Sequence, residues 1–323
     1  MQLRILITGG AGFIGSHLSD KLLAEGHHVS VIDDLSTGSI KNIKHLINNT
    51  NFKFIRDSIS NEIVLDRVAS ETDVIVHLAA AVGVKLVVER PVYTIETNVT
   101  GTEQVLKAAL RYGCKVLIAS TSEVYGKGHK IPFTENDDVL LGSTSIARWG
   151  YAISKMLDES LAFAYGTEYG LPVVLFRLFN TVGPRQTGHY GMVIPTFMQQ
   201  AIKGEPITVF GDGTQQRCFC DVSDVVRAIV GFIHNPAAIG QLFNIGGNQE
   251  VSMIELAEKV IKIAQSKSEI KMVPYSEAFG SGFEDMQRRV PNTEKIFNLL
   301  NWKPTLTLDQ ILVNVRDSLL NKK

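Results

Sequence analysis

Cysteine is scarce in this chain, with Cys114, Cys218 and Cys220 the only three among 323 residues. An odd number cannot all pair within one chain, and Cys218-Phe219-Cys220 offers two ligands with no second cysteine pair. A disulfide scaffold and a zinc finger are both argued against, and the thiols read as reduced. Nor does one sign of charge dominate: 32 Lys plus Arg face 33 Asp plus Glu, so no global field recruits nucleic acid or an anionic membrane. No apolar run approaches the ~20 residues needed to cross a bilayer. The first strand pattern begins almost at Met1, which leaves no room for a signal peptide. Internal repeats and low-complexity tracts are not apparent. These absences point to a cytoplasmic enzyme with small-molecule partners, without membrane or nucleic-acid contacts, and to no metal. The length suits one long α/β unit with a smaller second lobe.

Glycine, by contrast, is concentrated where a strand meets a helix. An apolar run at residues 3–7 leads into Thr8-Gly9-Gly10-Ala11-Gly12-Phe13-Ile14-Gly15 and then a helical pattern over 16–25 that stops at Gly26. Gly10, Gly12 and Gly15 satisfy G-x-G-x-x-G in the strand–turn–helix setting that gives that spacing meaning. A Cβ there would obstruct the turn and hold a cofactor pyrophosphate away from the backbone N–H groups at the positive helix end. Gly9, Gly12, Phe13, Ile14 and Gly15 are therefore candidate cofactor-binding residues. The strand pattern at 29–32 ends in Asp33-Asp34, where a carboxylate accepts from the adenosine ribose hydroxyls and repels a 2′-phosphate. NAD is expected rather than NADP.

The alternation continues through strands at 52–55, 74–78, 116–119 and 173–176, with helices at 92–112 and 149–169. It predicts an α/β fold, a Rossmann-type doubly wound parallel sheet over residues 1–180. Residues 181–323 are expected to form mostly a smaller mixed α/β C-terminal substrate lobe, with strands near 207–210 and 242–245 and helices near 223–234, 252–264 and 308–319. The chain is free to return to the sheet between these pieces. Ligands in such sheets gather beyond the carboxyl ends of strands. That places Asp57 and Ser58 for the adenine, Leu78, Ala79 and Ala80 for close backbone approach, and Asn98 and Ser120 among the cofactor-binding candidates.

Tyr151 and Lys155, four apart in a helical stretch, share one helix face. The ammonium then lies near the phenol, favours phenolate, and brings a pKa of ~10 toward neutrality. Such a tyrosine serves as a base. By itself Tyr-x-x-x-Lys arises often by chance; here it follows the glycine turn and the run Ser120-Thr121-Ser122-Glu123.

Taken together, Thr8 to Gly15, Asp33, His77-Leu78-Ala79-Ala80, Ser120 to Gly126, Tyr151-x-x-x-Lys155, Phe179-Asn180-Thr181-Val182-Gly183-Pro184-Arg185 and Gly211-Asp212-Gly213 resemble the extended short-chain dehydrogenase/reductase family. These are the nucleotide-sugar epimerases, dehydratases and decarboxylases, and the similarity covers essentially the whole chain. The resemblance implies tightly held NAD, Tyr151 as the C4-hydroxyl base, Lys155 on the nicotinamide ribose, and Thr121 or Ser122 on the sugar O4. It implies that Asn180, Arg185, Arg217 and Arg289 lie near the diphosphate or sugar of a UDP-sugar, and that the protein is a homodimer through helices at the sheet edge. Without the resemblance either Arg217 or Arg289 reads equally well as half of a surface ion pair.

The shared chemistry is oxidation at C4, and the fate of the 4-keto sugar separates the members. Glu123 is the discriminating residue, since Thr-Ser-Glu resembles UDP-glucuronate decarboxylases and GDP-mannose dehydratases. Arg148-Trp149 and the segment 287–291 resemble the decarboxylase of the bacterial aminoarabinose pathway. Ala81 to Val84 and the segment 191–195 read more like epimerases. The sequence reading is a UDP-sugar 4-epimerase, with UDP-glucuronate decarboxylation as the alternative and a 4,6-dehydratase or a non-catalytic nucleotide-binding module behind. Glu123 is read either as an acid–base group or as a structural partner of an arginine; in a decarboxylase it is expected to be protonated beside the sugar carboxylate.

Overall fold

A computed structural model describes residues 2–188, 192–275, 277 and 286–321; Gly191, in the segment that reads like the epimerases, lies outside them. Six strands are laid down first: β1 (Arg4–Thr8), β2 (His28–Ile32), β3 (Phe52–Ile55), β4 (Val74–His77), β5 (Lys115–Thr121) and β6 (Val173–Leu178). Four short strands follow, β7 (Thr181–Val182), β8 (Ile207–Phe210), β9 (Gln216–Cys218) and β10 (Cys220–Asp221), before β11 (Gln241–Ile245) returns to the sheet. The order is β11-β6-β5-β4-β1-β2-β3, with every pairing parallel. Parallel strands need crossover helices, so both faces are covered and the strands are apolar on both sides; β4 is buried at all four positions.

Helices α1 (Phe13–Ala24), α2 (Glu62–Ala69), α3 (Val84–Glu89), α4 (Pro91–Tyr112), α5 (Arg148–Tyr169), α6 (Val193–Lys203) and α7 (Val222–His234) supply the layers. One face packs Leu18 and Leu22 of α1 and Val225, Ile229 and Phe232 of α7 against Ile7, Val31 and Phe176. The other packs Leu65 of α2, Val105 and Leu106 of α4 and Ala162 of α5 against Leu6, Ile75 and Ile118. A separate core joins Phe197 of α6 to Leu256 and Val260 of α8 (Met253–Ala264) and to Ile311 and Leu312. The last two belong to α10 (Leu308–Leu320), which follows α9 (Glu294–Leu300).

The strand expected near 242–245 is thus part of the main sheet, paired with β6 from Gln241↔Val174 to Ile245↔Leu178, and α7 covers that sheet. A smaller second lobe is built from α6, α8, α10 and small sheets. One of these sheets runs β12 (Glu250–Ser252), β9, β14 (Arg288–Arg289), while β13 (Ile270–Val273) pairs β8. The three cysteines are free and buried. No helix among the described residues is long and apolar enough to cross a membrane.

Candidate active site

The carboxyl ends of β1, β2, β4, β5 and β6 converge on one crevice. At its base the glycine turn is sterically fixed: a Cβ on Gly9, which has φ +70°, would stand 2.8 Å from the Ala79 amide nitrogen, and one on Gly15 would stand 2.5 Å from the Gly9 carbonyl oxygen. Gly12 caps α1 without a side chain. The first-turn N–H groups therefore have no side-chain cap at the positive helix end, a fit for the pyrophosphate of NAD, with Phe13 and Ile14 opening the helix. Asp33 is buried and accepts from Ala11 N at 2.9 Å and Leu35 N at 2.8 Å. Burial raises its pKa, against the pull of those amides. Asp57 accepts from Ser58 N at 2.8 Å, and Ala79 N donates to Thr8 Oγ1 at 3.2 Å. Asn98 sits deeper than a ligand contact: its Nδ2 donates to Ser154 Oγ at 3.1 Å and its Oδ1 accepts from Ala81 N at 2.8 Å, tying the segment after β4 to α5.

Strand β5 runs two residues beyond its apolar core and carries Ser120 and Thr121 into the crevice. Ser120 donates to Glu159 of α5, and Glu159 takes a two-pronged bond from Arg177 of β6 at 2.9 and 2.7 Å. Thr121 stands beside the Tyr151 phenol and acts to lower its pKa. Lys155, however, is not turned to Tyr151. Its Nζ donates to Asp158 Oδ2 at 2.7 Å, one turn along α5, with both side chains almost wholly buried. The expectation that Lys155 lowers the phenol pKa is corrected here. Burial first, then the Glu123 and Asp158 carboxylates, push Tyr151 well above its ordinary value, opposed by Thr121. Tyr151 acts as a base only with added positive charge nearby, and the oxidised ring of bound NAD carries one.

Glu123 follows in a turn of 3₁₀ helix over Ser122–Tyr125. Arg289 Nη1 donates to its Oε1 at 2.7 Å, and Arg148 Nη2 to its Oε2 at 3.4 Å. Burial alone would raise this carboxyl; Arg289 and Arg148, with Arg217 behind them, outweigh it and hold Glu123 below its ordinary value. Glu123 is held ionised as the partner of these arginines; its protonation is expected only with a sugar carboxylate beside it. The small sheet explains the convergence. Its register sets Arg289 directly beside Arg217, and Phe133 N bonds Val290 O at 2.8 Å, docking that strand against the loop after Glu123. Arg289 Nη1 also reaches Ser122 Oγ at 3.4 Å, and its Nε is buried with no hydrogen-bond partner.

Two expected substrate residues stand apart from this cluster. Asn180 Nδ2 donates to Cys218 O at 2.9 Å, and Arg185 turns to α1, where Nη2 pairs with Asp20 Oδ2 at 2.7 Å. Arg148 and Asp158 were missed as site residues; Arg148 lies three before Tyr151, and Asp158 three after Lys155, a spacing that shares a helix face. At the far end of the sheet Glu25, His27 and His234 come within metal-ligating distance of one another. His27 Nδ1 accepts from Leu3 N at 3.1 Å, so Nε2 carries the proton of the neutral ring and presents no lone pair.

A dinucleotide cradle beside a Tyr–Thr–Lys group at a sheet's carboxyl edge defines an NAD-dependent nucleotide-sugar enzyme of the short-chain dehydrogenase/reductase type. The chain belongs to the family described as GDP-mannose 4,6 dehydratase, whose model matches residues 6–315. It is 42% identical over 311 residues, 96% of this chain and 95% of the other, to UDP-N-acetyl-alpha-D-glucosaminuronate decarboxylase of Bacillus cytotoxicus. It is 37% identical to UDP-glucuronic acid decarboxylase 1 of Danio rerio, over 95% of this chain and 70% of that one. Among solved structures, UDP-glucuronic acid 4-epimerase from Bacillus cereus, in complex with UDP-glucuronic acid and NAD, superposes with a TM-score of 0.90 at 29% identity, covering 99% of this chain and 100% of that one.

Tyr151→Phe should keep the fold and the bound nucleotide and lose turnover by ~100- to 10,000-fold, the range for removal of a general base. Near-normal turnover, followed by product formation, would overturn the assignment.

Proposed function

We propose that the chain is a UDP-hexuronate decarboxylase working through a 4-keto sugar. The observation that carries the reading is the 42% identity along almost the whole of a decarboxylase, which favours the second of the two activities read from the sequence over the first. The site supports it. Three guanidiniums, Arg148, Arg217 and Arg289, act on Glu123, and planar donors of this kind suit the carboxylate of an acidic sugar and a diphosphate.

NAD, when bound, takes the C4 hydride and later returns it. Tyr151 accepts the O4 proton, and Thr121 fixes the phenol while that proton moves. Oxidation at C4 makes the C6 carboxylate a β-keto acid. The C5–C6 bond then breaks, its electron pair passes into the C4–C5 enolate, and carbon dioxide leaves. A proton taken up at C5 and Tyr151 returning its proton to O4 complete a pentose nucleotide. No base at C5 is required, which agrees with a Glu123 whose oxygens are both committed to arginines. Neutralising the departing carboxylate would oppose its loss, so the role of Arg289 is orientation, with the guanidinium Nε as the free donor. A hexuronate 4-epimerase would use the same charges and keep the carboxylate, and the Bacillus cereus structure favours keeping that second reading.

The test is to incubate the purified protein with UDP-glucuronate and with UDP-N-acetylglucosaminuronate. Stoichiometric carbon dioxide and a product lighter by one carboxyl are expected from one of them. A product of unchanged mass with inverted C4 would replace this reading by the epimerase.

We further propose a homodimer through α4 and α5. Val92 and Ile95 of α4 and Ile153 and Leu157 of α5 are exposed apolar residues, and a Cβ on Gly150 of α5 would stand 3.4 Å from Ile95 Cδ1, which makes the two helices one surface. Sedimentation should give twice the chain mass, and Leu157→Glu the monomer; a wild-type monomer would contradict the proposal.

A further inference from the structure

Lys155 and Asp158 form a buried ion pair that the chemistry at C4 does not by itself require. Lys155 is 2% exposed and Asp158 fully buried. Pairs of this kind are costly to desolvate and are weak evidence for stability alone. Here one member is the lysine next to the catalytic tyrosine, which calls for a reason beyond packing.

Asp158 is itself held by a hydrogen-bond chain that begins at the cofactor turn. Ala79 N donates to Thr8 Oγ1 at 3.2 Å, and Thr8 Oγ1 meets His77 Nδ1 at 2.7 Å. His77 Nε2 meets Thr102 Oγ1 at 3.1 Å, and Thr102 lies near enough to the Asp158 carboxylate to lower it against the effect of burial. With His77 neutral, one set of donors satisfies these links: Thr8 donates its hydroxyl proton to Nδ1, Nε2–H donates to Thr102, and the Thr102 hydroxyl proton is left for the Asp158 side. This requires a neutral His77, and burial together with Lys155 pulls that imidazole down to about 3. The chain therefore has one direction, and it runs toward the carboxylate that receives Lys155. It also joins β1, β4, α4 and α5, the elements that frame the cofactor crevice.

We propose that Asp158 is the positioning residue of Lys155, the counter-charge that keeps the ammonium in place for the cofactor ribose, and that Thr8, His77 and Thr102 fix Asp158 in turn. Lys155 has three donors and spends one on Asp158, so two remain for ribose hydroxyls. Asp158 Oδ1 is buried without a partner; the ammonium has a second oxygen to rotate onto without losing its counter-charge. The proposal rests on Lys155 as a cofactor contact and not on the fate of the 4-keto sugar.

The test uses nucleotide affinity first. In protein stripped of nucleotide, Asp158→Asn should weaken NAD by ~10- to 100-fold, the effect of losing a hydrogen bond to a charged group. With NAD saturating, kcat should fall while KM for the UDP-sugar stays, because Lys155 does not contact the sugar. Asp158→Glu should recover part of both losses. Thr102→Val, which is isosteric, should shift NAD affinity in the same direction by less. In thermal unfolding, Lys155→Met leaves a lone buried carboxylate, and adding Asp158→Asn should raise the midpoint again. Wild-type NAD affinity and kcat in Asp158→Asn would make the pair structural only, and additive midpoints in the double variant would mean that the two side chains do not act on each other; either result overturns the proposal. These readouts stand whether the product is a pentose or an epimer.

Discussion

The Glu123 carboxylate, clamped by Arg289 at 2.7 Å and Arg148 at 3.4 Å, is the contact on which the candidate site depends. It lies two residues after Thr121, which stands beside the Tyr151 phenol, so the clamp sets where the phenol's neighbour stands. It also binds together three stretches remote in sequence: the end of β5, the start of α5 and the strand β14. Removing either arginine's partner would leave guanidinium charge in a buried setting, where unpaired charge costs several kcal/mol. The cluster is therefore self-enforcing.

Helix α5 carries the remainder. Tyr151, Lys155, Asp158 and Glu159 fall on its buried side: Tyr151 stands beside Thr121 of β5, Lys155 pairs with Asp158, Asp158 lies near Thr102 of α4, and Glu159 is tied to β5 and β6 through Ser120 and Arg177. A helix that buries this many polar groups stays ordered because nearly all of them are satisfied. Such a helix holds its base rigidly against the sheet edge where the cofactor fits.

The sheet and the glycine cradle were legible in the sequence because their signals are local. Apolar runs of four or five residues alternate with helical patterns, and Gly9 to Gly15 sit at one junction. The return of β11 was not legible, because pairing with β6 is non-local and nothing in Gln241–Ile245 names its neighbour. The sheet of β12, β9 and β14 was invisible for another reason: strands of two or three residues have no periodicity to read. Arg217 and Arg289 were therefore placed by family resemblance, while the register that sets them side by side came only from the structure. Asp158 was hidden by its type, since an aspartate on a helix is ordinarily solvated. The effect of Lys155 on Tyr151 was misjudged because sharing a helix face does not decide which partner a flexible ammonium takes.

The ionisation of Glu123 tests this account most directly. Difference infrared spectra of the wild type against Glu123→Gln, recorded as pH is lowered, isolate that one carboxyl. Because its folded pKa is depressed, the stability it contributes is present above the ordinary value of ~4.3 and is lost as pH falls through the folded value. The account predicts a carboxylate band at neutral pH that persists below that ordinary value. A protonated carboxyl at neutral pH would contradict the arginine clamp and restore Glu123 as an acid.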